Sequence, residues 1–182
     1  MRRSERTKAA ILAAARRRFA ASGYERATIR AIAVDAGIDP ALVMRYFGTK
    51  DKLFAAAAEF DLRLPDLTVL PRRTLGSVLV GYFLDRWEGD ESLQALLRAA
   101  VSHKVAVARL RAIFATQVMP AVAPLGRDRA TAATRVGLVA TQMLGLALCR
   151  YVLRLPPVVA LDRAAVIRWL APTIQRYLTG RP

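Results

Sequence analysis

The side chains best suited to chemistry lie in residues 39 to 50, which read DPALVMRYFGTK. If this segment is an α-helix, Val43 and Phe47 share its inner face. The outer face then carries Ala41, Leu42, Met44 and Arg45. An arginine can donate two parallel hydrogen bonds to a guanine, and apolar side chains can contact the methyl group of thymine in the major groove. The chemistry that this face predicts is contact with the edges of bases.

The composition offers little to catalysis. The chain has one histidine, His103, and one cysteine, Cys149, and it contains no glycine-rich phosphate loop, metal-ligand spacing or nucleophile elbow. A single cysteine excludes an internal disulfide framework and indicates a reducing compartment. The N-terminal residues lack the apolar stretch of a signal peptide. The longest apolar run, residues 136 to 149, is shorter than the roughly 20 residues of a membrane span, so we expect a cytoplasmic protein without a cofactor.

The charge indicates a polyanionic partner. The net charge is +15 and the isoelectric point is about 11.3, which favours nucleic acid first and an anionic membrane surface second. A basic membrane-binding protein would need a long amphipathic helix rich in lysine, and the chain has only four lysines. The first 54 residues hold 12 Lys and Arg against 5 Asp and Glu, so the charge is concentrated toward the N-terminus.

The elements that position the outer face are short helices with clear end signals. Thr28 is a predicted N-cap for a helix over residues 29–36 that Gly37 ends. Asp39, followed by proline at the first helical position, predicts the start of a third helix, which ends at Gly48. Thr49 then starts a fourth helix that runs toward Leu64.

Beyond a linker between Pro65 and Pro71, apolar residues recur every three or four positions, so the rest of the chain also reads as helical. The predicted helices cover residues 74–87, 91–102, 104–122, 128–153 and 164–179, and the two prolines within 155–160 predict a loop. Pro120 and Pro172 are expected to kink or end their helices. The predicted fold is all-α, with a helix-turn-helix domain over 1–54 and a larger helical bundle over 55–182.

Residues 8 to 54 resemble the DNA-binding domain of the tetracycline-repressor (TetR) family of regulators. The matching features are Phe19, Gly23-Tyr24, Thr28-Ile29, Ile32-Ala33, Ala36-Gly37-Ile38, Tyr46-Phe47, Thr49-Lys50-Asp51 and Leu53-Phe54. The resemblance implies a homodimer that binds double-stranded operator DNA through paired recognition helices, and a small-molecule effector bound in the larger domain. A ligand-relieved repressor of a palindromic operator is the expected function. An activator, or a non-specific basic DNA-binding protein without an effector, is the alternative.

The resemblance also implies roles for single residues. Thr28 and Arg30 would meet phosphates, because N–H groups at a helix start suit an anion. Tyr46 and Lys50 would hold the DNA backbone, and Pro40 lies where the recognition helix enters the groove. The base-facing residues would be Ala41, Leu42, Met44 and Arg45. Met44 departs from the family, which usually has tyrosine or histidine there, so Arg45 is left as the principal specific contact.

Two further sets of residues are expected in the larger domain. A stripe of small side chains recurs every four residues, and the implied dimer seam would use it, with packing inside the subunit as the alternative; its members are Ala133, Gly137, Thr141, Gly145 and Cys149. An apolar effector pocket would be lined by Phe60, Tyr82, Phe83, Trp87, Phe114 and Met143, although such residues are more often plain core. His103, beside Lys104, is either an anchor for the ligand or a solvated cap near a helix end, and the cap is the expected role.

Overall fold

The computed structural model describes residues 3–89, 91–100, 103–126 and 128–180, and within these ranges every regular element is helical. Eleven α-helices are described: α1 (Arg3–Arg26), α2 (Ile29–Ala36), α3 (Pro40–Phe47), α4 (Lys50–Ala57), α5 (Leu75–Glu88), α6 (Glu91–Ala100), α7 (Lys104–Ile113), α8 (Met119–Val122), α9 (Ala132–Ala147), α10 (Pro156–Val159) and α11 (Arg163–Thr179). The all-α prediction is confirmed.

The chain divides into two compact units. The first comprises residues 1–60 and 91–110, and the second comprises residues 61–90 and 111–182. Helix α6 therefore belongs to the same compact unit as the N-terminal helices, and it packs against α1. The division into functional domains after residue 54 stays a prediction.

The core of the first unit contains aliphatic and aromatic side chains. The buried residues of α1 include Ile11 and Phe19, and those of α4 include Leu53 and Phe54. The aromatic rings of Phe19 and Phe54 meet edge to face, with centroids 5.0 Å apart, a favourable arrangement of their quadrupoles. In α1, Gly23 has a positive φ of 75°, which breaks the helical geometry before the last three residues.

The second unit is built on α5, α9 and α11. Its core includes Leu79, Val136 and Ile174, all buried. The backbones of α5 and α11 approach closely at Gly76, where an added Cβ would collide with the carbonyl oxygen of Ala171. Helix α11 runs through Pro172 without ending.

Three local features differ from the predictions. Helix α4 ends at Ala57, not near Leu64, because the backbone of residues 62–63 bonds elsewhere: the N–H of Leu62 donates to Gln117 and the carbonyl groups of Leu62 and Arg63 accept from Tyr82. Residues 156–159 form a helical turn rather than a loop, since a proline is well tolerated at the first helical position.

The third difference is that the two long apolar helical segments are not α-helical over their whole length. The segment after α7, Phe114–Val118, and the segment after α9, Leu148–Val152, are π-helical turns. Such turns are rare, and the extra residue in the turn Phe114–Val118 shifts the faces of α8, which follows it directly.

Candidate nucleic-acid interface

The structure places the predicted outer face of α3 in solvent. Val43 is fully buried, whereas Ala41 and Arg45 are exposed and Met44 keeps 43% of its surface accessible. Leu42 and Phe47 are half-buried. An arginine and a methionine are therefore the longest side chains on the accessible face of this helix, and Leu42 offers less surface than the helical wheel predicts.

The ends of α2 and α3 are fixed by local hydrogen bonds. The hydroxyl of Thr28 accepts from the N–H of Ala31 (3.1 Å), and a carboxylate oxygen of Asp39 accepts from the N–H of Ala41 (2.7 Å). Gly37 and Gly48 follow the two helices with φ of 65° and 77°, a conformation that costs glycine little. These four predicted end signals are confirmed. The hydroxyl of Thr28 is engaged in its cap, and Arg30 is exposed beside it.

Tyr46 lies between two cationic side chains. The guanidinium carbon of Arg45 is 5.8 Å from the centre of the Tyr46 ring, and the ammonium of Lys8 on α1 is 5.5 Å from it. Both distances are within the range of a cation–π contact. The arrangement places two positive charges at the accessible face of α3. Lys8 was not among the predicted DNA-binding residues, although its positive charge could have suggested a contact with phosphate.

Lys50 is bound to its own unit. Its ammonium donates to the carbonyl oxygen of Glu25 (3.1 Å) and lies 4.3 Å from the centre of the Tyr24 ring. Pro40 is half-buried at the start of α3. The hydroxyl of Tyr24 donates to the carboxylate of Asp51, and burial of the phenol, with this hydrogen bond, raises the pKa of Tyr24 well above its ordinary value. Tyr24 therefore stays protonated.

Helices α1 and α2 are joined by an ion pair between Arg18 and Asp35. The two hydrogen bonds that the guanidinium donates to the carboxylate hold the pKa of Asp35 below its ordinary value and raise that of Arg18. A two-point contact of this kind fixes orientation as well as distance.

The predicted effector residues are only partly brought together. The rings of Phe83 and Trp87 are 5.4 Å apart, and Trp87 stacks on Tyr151. Met143 is part of the buried core of the second unit, and Phe83 and Phe114 pack against this core. The hydroxyl of Tyr82 donates hydrogen bonds to the backbone carbonyl oxygens of Leu62 and Arg63. Phe60 is buried in the first unit.

A cavity of about 430 Å³ lies elsewhere in the second unit, and none of those six residues lines it. Its walls come from the chain after α4 and from the turn at α8, and they comprise Asp61, Arg63, Leu64, Pro65, Asp66, Leu67, Thr68, Gln117, Pro120 and Ala121. This volume is within the range of small-molecule sites. No three metal-ligating side chains are grouped together in the part of the chain that the structure describes.

The stripe of small residues on α9 lies at the surface of the chain. Ala133 and Thr141 are exposed, and Gly137, Gly145 and Cys149 are half-buried. A Cβ added at Gly137 or Gly145 would meet nothing within 4 Å, so no backbone from the described residues of the same chain crosses there. The exposed apolar residues Leu138, Leu144 and Trp169, the last with 73% of its surface accessible, were not predicted.

Two models of known protein families match the chain. One, described as bacterial regulatory proteins of the tetR family, matches residues 11–57. The other, the tetracyclin repressor-like C-terminal domain, matches residues 74–178, which is more than half of the chain.

The chain belongs to the TetR family.

Solved structures of TetR-type regulators agree with this membership. A TetR-family regulator from Streptomyces coelicolor A3 is 28% identical, with 98% of this chain and 97% of that chain covered and a TM-score of 0.62. The fatty acid degradation regulator FadR from Bacillus halodurans shares the fold at 14% identity, with 96% and 99% covered and a TM-score of 0.69. No curated protein matches the chain. The chain is thus a TetR-family transcriptional regulator with a helix-turn-helix DNA-binding domain.

Proposed function

We propose that this TetR-family regulator is a cytoplasmic homodimer that represses transcription from a palindromic operator and is released by a small apolar molecule. The observation that carries the DNA-reading part is the accessible face of α3, on which Arg45 is exposed beside Ala41 and Met44. Arg45 would donate to guanine, while Ala41, Leu42 and Met44 would contact apolar edges in the major groove.

The backbone contacts would surround this face. Thr28 and Arg30 are at the start of α2, where unpaired N–H groups favour a phosphate. Tyr46, together with Lys8, and Lys50 would bind further phosphates, and Pro40 would stand at the groove edge. Because such contacts position a protein without reading sequence, specificity would rest mainly on Arg45.

A second copy of the chain would cover α9. The helical segment Ala132–Val152 is long and apolar enough to cross a membrane by length and composition, as is Lys104–Leu125, yet only 22% of the most apolar window of Ala132–Val152 is buried within one chain. Length and composition of this kind are also found in interface helices of soluble proteins. The small side chains from Ala133 to Cys149, which are exposed or half-buried, would let a partner helix approach closely, and a two-fold dimer would present two recognition helices to a palindrome.

The effector would bind in the second unit. Two locations are supported: the cavity of about 430 Å³ near Gln117, and the aromatic group at the end of α5 that includes Phe83 and Trp87. A ligand that binds one conformation better than another shifts DNA affinity by the difference, about 1–3 kcal/mol in typical coupling. No cofactor is needed for this function.

The test is selection of DNA sequences from a library of random duplexes by the purified full chain. We expect enrichment of one inverted repeat, bound as a dimer, and loss of that enrichment when Arg45 is replaced by alanine. A non-specific basic protein would instead retain duplexes without a shared sequence, and this outcome would exclude operator recognition. A thermal-shift screen against small molecules, followed by DNA binding with each hit, then tests release.

A further inference from the structure

We propose that His103 is a positioning residue for DNA binding, which holds Lys50 in place through the ring of Tyr24. The inference rests on the proposed DNA-binding function, because Lys50 is expected to contact a phosphate. All three residues belong to the first compact unit. We call the arrangement of Lys50, Tyr24 and His103 the Tyr24 stack.

The Tyr24 stack is defined by two short distances to one ring. The centroids of the His103 and Tyr24 rings are 3.8 Å apart, and the ammonium of Lys50 is 4.3 Å from the Tyr24 centroid. A group this close to the centre of a ring lies over its face, since the ring edge would keep it farther away. The imidazole, tilted by 42° to the phenol ring, and the ammonium of Lys50 therefore both contact the same aromatic ring.

The Tyr24 ring has little freedom within this arrangement. Its hydroxyl donates to the carboxylate of Asp51 at the start of α4, and its ring packs against those of Phe54 and Phe19, with centroid distances of 5.0 and 6.0 Å. His103 also contacts the ring, and its Nε2 is 3.8 Å from the same carboxylate of Asp51. The histidine is thus the one described side chain that supports Tyr24 from the turn before α7.

The position of the Tyr24 ring affects the conformational freedom of the Lys50 side chain. A lysine side chain has several rotatable bonds, and ordering it on contact with DNA reduces affinity. Here the ring face of Tyr24 and the carbonyl oxygen of Glu25 hold the ammonium beside the first turn of α4. Without His103, the Tyr24 ring can turn into the vacated space, and the ammonium loses the face on which it rests.

The side chain of His103 is largely enclosed by its neighbours. Only 19% of its side chain is accessible, and its buried Nδ1 makes no hydrogen bond within the described part of the chain. A buried polar atom without a partner opposes folding. A phenylalanine would fill the same space and keep a ring against Tyr24, which provides a control for the role of the ring.

The experiment measures DNA affinity of the full chain as a function of salt. The probe is the duplex obtained by selection or, if no sequence is enriched, a 30-base-pair duplex of mixed sequence, because phosphate contacts do not require a particular sequence. Lys50→Ala and His103→Ala should each weaken binding roughly threefold to tenfold, with a salt dependence shallower by about one ion per protomer. The double variant should bind like Lys50→Ala alone.

His103→Phe is the control, since it keeps the ring and should retain the affinity and the salt dependence of the unchanged protein. Circular dichroism at the temperature of the assay verifies that each variant is folded, and if His103→Ala is unfolded, His103→Leu, which removes the ring but keeps an apolar side chain, replaces it in the cycle with Lys50→Ala. Wild-type salt dependence in the variant that lacks the ring, or additive losses in the double variant, would overturn the role of His103 while leaving DNA binding intact. Absence of any DNA binding by the unchanged protein would overturn the proposed function itself.

Discussion

Arg18 and Asp35 form a two-point ion pair between the first two helices. The guanidinium Nε lies 2.7 Å from one carboxylate oxygen of Asp35, and Nη2 lies 2.5 Å from the other. The pair sets the position of α2, and therefore of α3, against α1, which makes it a determinant of the helix-turn-helix geometry.

The Arg18–Asp35 pair predicts a pH dependence of stability. The pKa of the Asp35 carboxyl group is lower in the folded protein than in the unfolded chain. Ionised Asp35 therefore stabilises the fold at pH values above the ordinary carboxyl pKa of about 3.9. This contribution is lost as the pH falls through the folded-state pKa. Thermal unfolding followed by circular dichroism should show a smaller decrease in Tm for Asp35→Asn than for the unchanged protein on going below about pH 4. Parallel pH profiles of the two proteins would contradict the role of the pair.

Replacement of Arg45 by alanine should relax sequence preference. Loss of a bidentate contact to guanine weakens operator binding by about 1–3 kcal/mol while leaving non-specific binding nearly unchanged. The ratio of the two affinities, measured by fluorescence anisotropy with the selected and a scrambled duplex, is the readout. Arg73→Ala is the matched control, because it removes an exposed arginine from the second unit. An unchanged ratio in the Arg45 variant would remove this residue as the specific contact.

Two glycines of α5 should respond differently to the addition of one methyl group. At Gly76 a Cβ would collide with the carbonyl oxygen of Ala171 and lie 2.9 Å from backbone and side-chain atoms of Gln175, so Gly76→Ala should destabilise the protein by about 1–3 kcal/mol. At Gly81 the nearest atoms, on Arg163 and Ile167, are 3.5 and 3.7 Å away.

Gly81→Ala therefore has room for its methyl group and should be neutral or stabilising by up to about 1 kcal/mol, because alanine favours helix. The free energies of unfolding in urea compare the two variants. Equal stability of both would show that α5 and α11 do not cross as closely as the backbone at Gly76 indicates.

Leucine at position 145 should weaken dimerisation without unfolding the subunit. The single chain has open space around Gly145, so the larger side chain meets only a partner helix. Light scattering over a dilution series should show monomers at concentrations where the unchanged protein is dimeric. Ser77→Leu, at an exposed position of α5, controls for the added apolar surface. A Gly145→Leu dimer of unchanged affinity would place the seam elsewhere.

The sequence predicted the N-terminal helices well because their end signals are local. Thr28, Asp39 and Thr49 each bond an N–H within the next three residues, so the identity of the cap and its immediate neighbours suffices. The inner position of Val43 followed equally from the helical period.

Features that depend on distant residues were not accessible in this way. Helix α4 stops early because Tyr82 and Gln117, far along the chain, bond the following backbone. The same limit applies to His103, which contacts a ring 79 positions away in sequence. Apolar periodicity identifies buried faces but does not show where packing leaves space, so the cavity near Gln117 was not predicted, and the aromatic pocket stays a prediction.

Because Trp169 is accessible to solvent, its intrinsic fluorescence can report the association of the chain with another molecule. The chain has two tryptophans: the indole of Trp87 is buried in the second unit, while that of Trp169 is open to water in a single chain. Emission from Trp169 would therefore lie at long wavelength in a monomer and move to shorter wavelength when another molecule covers α11. With Trp87→Phe as the background, a dilution series read by intrinsic fluorescence would follow association without any added label.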